Sequence, residues 1–255
     1  QSVDVTTAVL VVHRQATPVE RKAASILMDE ACKRGAKWAT AASAAPSAVN
    51  IFLGSVTRQP RGTPGVSSMV PRRAEGYVLT VGRSRGQPSV TAIGNDERGC
   101  MYAAGHLLRE LRWGSGRIHV PAMTVTTSPR QRLRGHQLGW RPTSNTYDRW
   151  NLKQFEQYIR EMVVWGANAV ELIPFDDSYD REKNTRFTCA LADLIASYGL
   201  DVWLWYPVGD QVPAGMTGPG LVPGEMPCPS QSGGRAFLLD RRRELFSRIK
   251  HLNGV

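Results

Sequence analysis

Cysteine, acid and long apolar runs are all in short supply. The four cysteines among 255 residues are Cys32, Cys100, Cys189 and Cys228. They lie far apart, with no C-x-x-C pair and no Cys/His spacing suited to zinc, so no metal is expected. Cys100 falls on the apolar stripe of a helix, which gives it a packing role, and disulfide pairing stays open. No run approaches ~18 uninterrupted apolar residues, so no helical membrane span is expected. Asp and Glu number 22 against 32 Lys and Arg, a formal charge of +10. The excess is arginine scattered along the chain, without a zinc finger or an aromatic-interleaved basic stripe, so no nucleic-acid partner is expected. G-x-G-x-x-G, G-x-S-x-G, H-E-x-x-H and G-x-x-x-x-G-K-[ST] are absent, which removes dinucleotide, serine-hydrolase, zinc-protease and P-loop chemistry; no cofactor is expected. The chain opens at Gln1-Ser2 without an initiator Met. That suits a secreted or periplasmic product after signal-peptide removal, or an excised piece.

What is present divides near residue 127. The first region reads strand, helix, several strands, helix, strand. Val5–His13 is a β-branched run. Thr17-Pro18-Val19-Glu20 starts a helix with an N-cap, a proline at the first helical position and a capping-box glutamate. Val19, Ala23, Ile26, Leu27 and Ala31 keep helical spacing up to Arg34-Gly35. Asn50–Ser55, Tyr77–Val81 and Ser89–Gly94 have strand character, with a turn over Gly82–Pro88. A second helix from about Asp96 carries Cys100, Ala104, Leu107, Leu108 and Leu111, with Gly114 as its stop. Ala36–Val49 and Gln59–Pro71 are expected loops. Two single-stripe helices among short strands predict an α+β domain, a sheet with both helices on one face.

From residue 128 strands and helices alternate. Leu133–Trp140, Ala169–Phe175 and Val202–Val208 are expected strands. Asn151 caps a helix bearing Phe155, Ile159, Met162 and Val163. Phe187, Ala190, Leu191, Leu194, Ile195 and Tyr198 mark another, stopped by Gly199. Phe237–Ile249 is a third, and Leu252–Val255 opens one more strand. Three successive β/α units with nearly continuous apolar strands need a parallel sheet covered by helices. A (β/α)8 barrel takes ~250 residues, about twice the length of chain that remains after residue 127. The expectation is therefore the first part of a barrel in residues 128–255, with its remaining arc as a partner. A doubly wound sheet is the other arrangement.

Two segments of the first region resemble a known family. They are Glu75-Gly76-Tyr77-Val78-Leu79-Thr80-Val81 and Asp96-Glu97-Arg98-Gly99-Cys100-Met101-Tyr102-Ala103-Ala104-Gly105-His106-Leu107-Leu108. Together they resemble the small α+β domain preceding the catalytic barrel in family 20 glycoside hydrolases, the bacterial β-N-acetylhexosaminidases. Similar domains precede the barrels of α-glucuronidases and family 84 enzymes. Arg132-Leu133-Arg134-Gly135-His136-Gln137-Leu138 resembles the first barrel strand of the same group. The resemblance implies that Arg134 contacts hydroxyls of a terminal sugar, and that the catalytic Asp-Glu pair follows a fourth strand beyond Val255. This chain departs from the family at Gly139-Trp140-Arg141 and at Glu171-Leu172-Ile173-Pro174-Phe175-Asp176-Asp177, so the sugar does not carry over.

The residues themselves point the same way. In a barrel the working groups sit at the carboxyl ends of strands, which here selects Trp140, Arg141, Asn145, Tyr147, Glu171, Asp176, Asp177, Trp205, Tyr206 and Asp210. Aromatic faces cover the apolar face of a pyranose, while arginine and carboxylates bond its hydroxyls. Asp176-Asp177 also suits a solvated turn or a helix cap. Glu171, inside an apolar strand, must be paired or functional. Trp203 and Trp205 are expected to divide between the barrel interior and its helices. His136 is expected to point inward with Arg134. The function expected is a glycosidase section that binds oligo- or polysaccharide and is inactive alone. The alternative is a non-catalytic carbohydrate-binding or scaffold protein with a degenerate barrel.

Overall fold

The computed structural model describes residues 2–84, 86–138, 150–173, 181–206 and 211–255. The strands, numbered in chain order, are β1 (Ser2–Asp4), β2 (Thr7–Val12), β3 (Lys37–Ala41), β4 (Val49–Ser55), β5 (Tyr77–Ser84), β6 (Gln87–Gly94), β7 (Arg112–Gly114), β8 (Arg117–Pro121), β9 (Met123–Thr127), β10 (Gly135–Leu138), β11 (Ala169–Leu172), β12 (Asp201–Leu204) and β13 (Leu252–Gly254). The helices are α1 (Pro18–Lys33), α2 (Glu97–Glu110), α3 (Leu152–Val164), α4 (Arg181–Ser197) and α5 (Ser232–Phe246). The architecture is mixed α/β. Two compact units share these elements: residues 1–135, 156–168 and 197–200 form one, and residues 136–155, 169–196 and 201–255 the other. They are called unit 1 and unit 2.

Unit 1 is built on a six-stranded sheet of order β3-β2-β4-β6-β5-β9. β2, β3, β4 and β6 run parallel, while β5 is antiparallel to both its neighbours. α1 and α2 lie side by side against it. Tyr77 reaches His106 of α2 on that face. Val78, one residue on, therefore points to the other face, where it packs with Ile93, Val66 and Val70. The loop after β4 thus roofs the second face. β1, β8 and β7 form a separate three-stranded sheet.

The start of α1 is set by its own sequence. Thr17 Oγ1 accepts from the Glu20 amide at 3.1 Å, and Glu20 Oε2 accepts from the Thr17 amide at 2.7 Å. Thr17→Ala is expected to cost about 1 kcal/mol, read as a lower midpoint in urea with unchanged slope. Asp96 caps α2 from one side only, its carboxylate accepting from the Gly99 amide at 2.8 Å.

Three expectations are corrected here. Lys37–Ala41, expected inside a loop, is edge strand β3; Trp38 is its one buried side chain, donating to the Val5 carbonyl. α2 stops at Glu110 rather than Gly114, because Arg112–Gly114 pairs with β8 across a two-residue turn. Ser115 and Gly116 both take positive φ there, the geometry a tight hairpin needs. α5 spans Ser232–Phe246 rather than starting at Phe237.

Unit 2 holds a four-stranded sheet in chain order, β10-β11-β12-β13. The β11–β12 and β12–β13 pairs are parallel. Asn151 and Gln154 form a reciprocal cap at the start of α3, and Gly199 after α4 has φ +75. All four cysteines are free thiols, and Cys100 is fully buried.

Candidate functional site

The strand register of unit 2 sets three unlike side chains in one row. Glu171 of β11 lies opposite Trp203 of β12. On the other flank the Gln137 amide of β10 donates to Glu171 Oε2 at 2.5 Å. Val170, Leu172, Val202 and Leu204, of the opposite parity, are buried, so the row occupies the sheet's other face. Beyond Trp203 comes Gly254 of β13, where a Cβ would stand 2.6 Å from the indole Cε3. Glycine is what lets the indole lie flat there. The indole Nε1 is shielded from solvent and has no hydrogen-bond partner among the described residues. Glu171 has no cation within ion-pair distance among the described residues. An uncharged amide therefore orients the carboxylate, and its other oxygen remains available to a hydroxyl donor.

Strand alternation does not divide Trp203 from Trp205, since residues two apart in a strand share a face. Trp203 joins Glu171. Trp205 lies beyond the end of β12, its amide donating to the Leu172 carbonyl at 2.8 Å and its side chain 45% exposed. Tyr206 packs edge-on against Phe246 of α5 with ring centroids 5.7 Å apart, and Arg242 covers its ring at 5.3 Å. Gln137, absent from the expected site, is the residue that touches Glu171. Only strand register reveals it. Trp140, Arg141, Asn145, Tyr147, Asp176, Asp177 and Asp210 lie outside the described residues.

Arg134 sits in unit 1 and is fully engaged. Its Nη2 meets Glu75 Oε2 at 2.5 Å and the Tyr102 hydroxyl at 3.2 Å. Nε donates to the Gly166 carbonyl at 2.8 Å and Nη1 to the Gln131 carbonyl at 2.6 Å. Glu75 is the buried centre of this cluster. Its Oε1 accepts from Asn168 at 3.0 Å and lies 3.4 Å from Arg98, and its own amide donates to Asp96 Oδ2 at 2.7 Å. Burial, and then the Glu75 charge, push the Tyr102 phenol well up; it stays a donor, to the Ala167 carbonyl at 2.9 Å. Neither Glu75 nor Asn168 carries a local signal for this role, because their partners are distant in the chain.

Among the described residues no three His, Cys, Asp or Glu side chains gather as a metal site, and no helix is long and apolar enough to cross a membrane. No protein-family model and no curated protein sequence matches the chain. Solved structures do. A Flavobacterium johnsoniae chitobiase of family 20 superposes with TM-score 0.65 at 11% identity, covering 100% of this chain and 41% of its own. The family 84 protein CpGH84B gives 0.63 at 12%, covering 100% and 40%. The chain shares its fold with glycoside hydrolases. A Vibrio harveyi family 20 exo-β-N-acetylglucosaminidase, solved with N-acetylglucosamine, gives 0.62 at 12%, covering 96% and 42%. This chain thus spans about two fifths of the length of the glycoside hydrolases it matches.

Proposed function

We propose that this chain is the N-terminal section of a secreted, carbohydrate-active glycoside hydrolase. It comprises a small α/β domain over residues 1–127 and the opening part of a (β/α)8 barrel over residues 128–255. The observation that carries this reading is that the Gln137–Glu171 pair and Trp203 occupy neighbouring positions of one row, on one face of a sheet whose strands run in chain order. A carboxylate that accepts, an amide that donates and a flat aromatic together suit a pyranose. Trp140, Arg141, Asp176, Asp177, Trp205 and Tyr206 complete the pocket at the strand ends in this reading. Arg134, which the family resemblance makes a sugar contact, also braces Glu75 within unit 1.

Glycoside hydrolysis needs two carboxyl functions, or one with a participating substrate group. The row holds one, and in this reading the acid pair is the one that the family resemblance puts after a fourth barrel strand. Titration of the 255-residue chain with N-acetylglucosamine and with glucuronic acid is expected to show weak binding of one of them. Glu171→Gln should abolish it and Glu161→Gln, on the polar side of α3, should leave it intact. Aryl glycosides should not turn over. Binding of neither sugar, or binding indifferent to Glu171→Gln, would sink the pocket; turnover would place the acids within this chain.

A further inference from the structure

The register of the unit 1 sheet gathers arginines that the sequence scatters. Ser55 of β4 pairs with Gly94 of β6, Gly94 with Tyr77 of β5, and Tyr77 with Thr127 of β9. These four residues form one row at a single rim of the sheet. Chain leaving the rim after Ser55 carries Arg58 and then Arg61, which bridges Ser43 beyond β3 at the far edge, while the chain arriving at Tyr77 carries Arg72 and Arg73 and the chain leaving Thr127 on the adjacent strand carries Arg130 and Arg132. Arg58 is half-buried and the other five are exposed. None of the six forms an ion pair among the described residues.

Acid is nearly absent from the same rim. The segments 56–74 and 128–135 contain no Asp or Glu. Glu75 is held between Arg98 and Arg134. Asp96 caps α2 and Glu97 stands in its first turn, where their charge offsets the helix dipole. The backbone bearing the arginines is fixed from beneath. Asn168 donates to the Arg132 carbonyl at 2.7 Å, Arg134 to the Gln131 carbonyl, and the Gly76 amide to the Arg73 carbonyl at 3.1 Å. Guanidinium groups on a fixed backbone lose less freedom when they engage an anion. They bind carboxylate and sulfate in bidentate fashion, which lysine does not.

We propose that this rim is a docking surface for an acidic polysaccharide, a polyuronate chain bound outside the pocket described above. Segments 56–76 and 128–134 contain no Phe, Trp or Tyr, so the rim lacks the stacking platform that single-stranded nucleic acid uses. The choice of glycan over duplex DNA rests on the glycosidase reading.

The test uses the 255-residue chain, with polygalacturonate, neutral dextran and a short DNA duplex as probes at equal low salt. Retardation by polygalacturonate and not by dextran is expected. Combining Arg72→Gln, Arg73→Gln, Arg130→Gln and Arg132→Gln should weaken polygalacturonate binding about ten-fold or more, with the melting temperature preserved. A variant of matched charge elsewhere on unit 1 (Lys33→Gln, Lys37→Gln, Arg112→Gln, Arg117→Gln) should bind as the parent does. Arg72→Gln and Arg132→Gln alone should each weaken binding by about two-fold. Equal loss in both quadruple variants, or no retardation by polygalacturonate, overturns the proposal. Tighter binding of the duplex replaces the glycan by nucleic acid and overturns it too. Glu171→Gln should leave the rim's binding unchanged, so failure of the pocket and failure of the rim read separately.

Discussion

Glu75→Ala is expected to destabilise unit 1 by about 3 kcal/mol, the lower end of the range for breaking a buried ion pair from one side. The carboxylate side chain is 10% exposed and is the shared acceptor of Arg98, Arg134 and Asn168. Its removal strands the charge of two arginines and one buried amide. The loss stays at the lower end because Arg134 keeps the Gly166 and Gln131 carbonyls and Arg98 keeps that of Gly199. The thermal midpoint should fall by about 6–12 °C. Glu75 also has φ +63, a conformation that costs a non-glycine residue roughly 1–2 kcal/mol. Glu75→Gly separates the two effects, since it relieves the backbone while deleting the carboxylate. If the buried pair dominates, Glu75→Gly still melts below the parent and the deficit persists in 1 M salt, which screens a buried pair poorly. A Glu75→Gly variant as stable as the parent would limit the carboxylate's contribution to the roughly 1–2 kcal/mol that the relieved backbone returns.

Gly94→Ala is expected to be more damaging still. A Cβ at the end of β6 would stand 2.1 Å from the Cys100 amide nitrogen, 2.3 Å from the Gly99 carbonyl carbon and 2.6 Å from the Asp96 oxygen. All three are backbone atoms of the α2 N-terminus, so no side chain can swing aside. Gly99 is matched to the approach, its own Cβ falling 2.3 Å from the Gly76 oxygen. A loss of about 3 kcal/mol or more is expected, beyond the usual cost of overpacking because the obstacle is backbone. Gly82→Ala on β5 meets nothing within 4 Å and should stay within about 0.5 kcal/mol of the parent. Urea denaturation of the pair reads the difference. Equal midpoints for the two variants would show that α2 is free to move off the sheet.

Local signals were legible wherever one short segment decides the outcome. The Thr17 and Asn151 caps each depend on atoms within three residues, and both form. β3 was not legible. An edge strand that buries Trp38 alone, amid alanine and threonine, has no alternation to read. The first turn of α5 hid behind Gly233 and Gly234, poor helix formers. Their reason lies outside the helix, since a Cβ would come within 2.6 Å of the Pro219 oxygen at the first and 2.2 Å of the Cys228 oxygen at the second. The site divided in the same manner. Glu171 stood out as a carboxylate in an apolar strand. Its partner Gln137, and the engagement of Arg134 by Glu75, depend on register and on pairs far apart in the chain.

The interleaving of the chain bears on how the protein is born. Asn168 and Arg134 close the Glu75 cluster of a sheet whose last strand ends at Thr127. A ribosome working at ~5–20 residues per second needs about 2–8 s to travel from Thr127 to Asn168. During that interval the nascent sheet carries a carboxylate still waiting for two of its partners. Chaperone engagement and translational pausing on this messenger would have their greatest effect there.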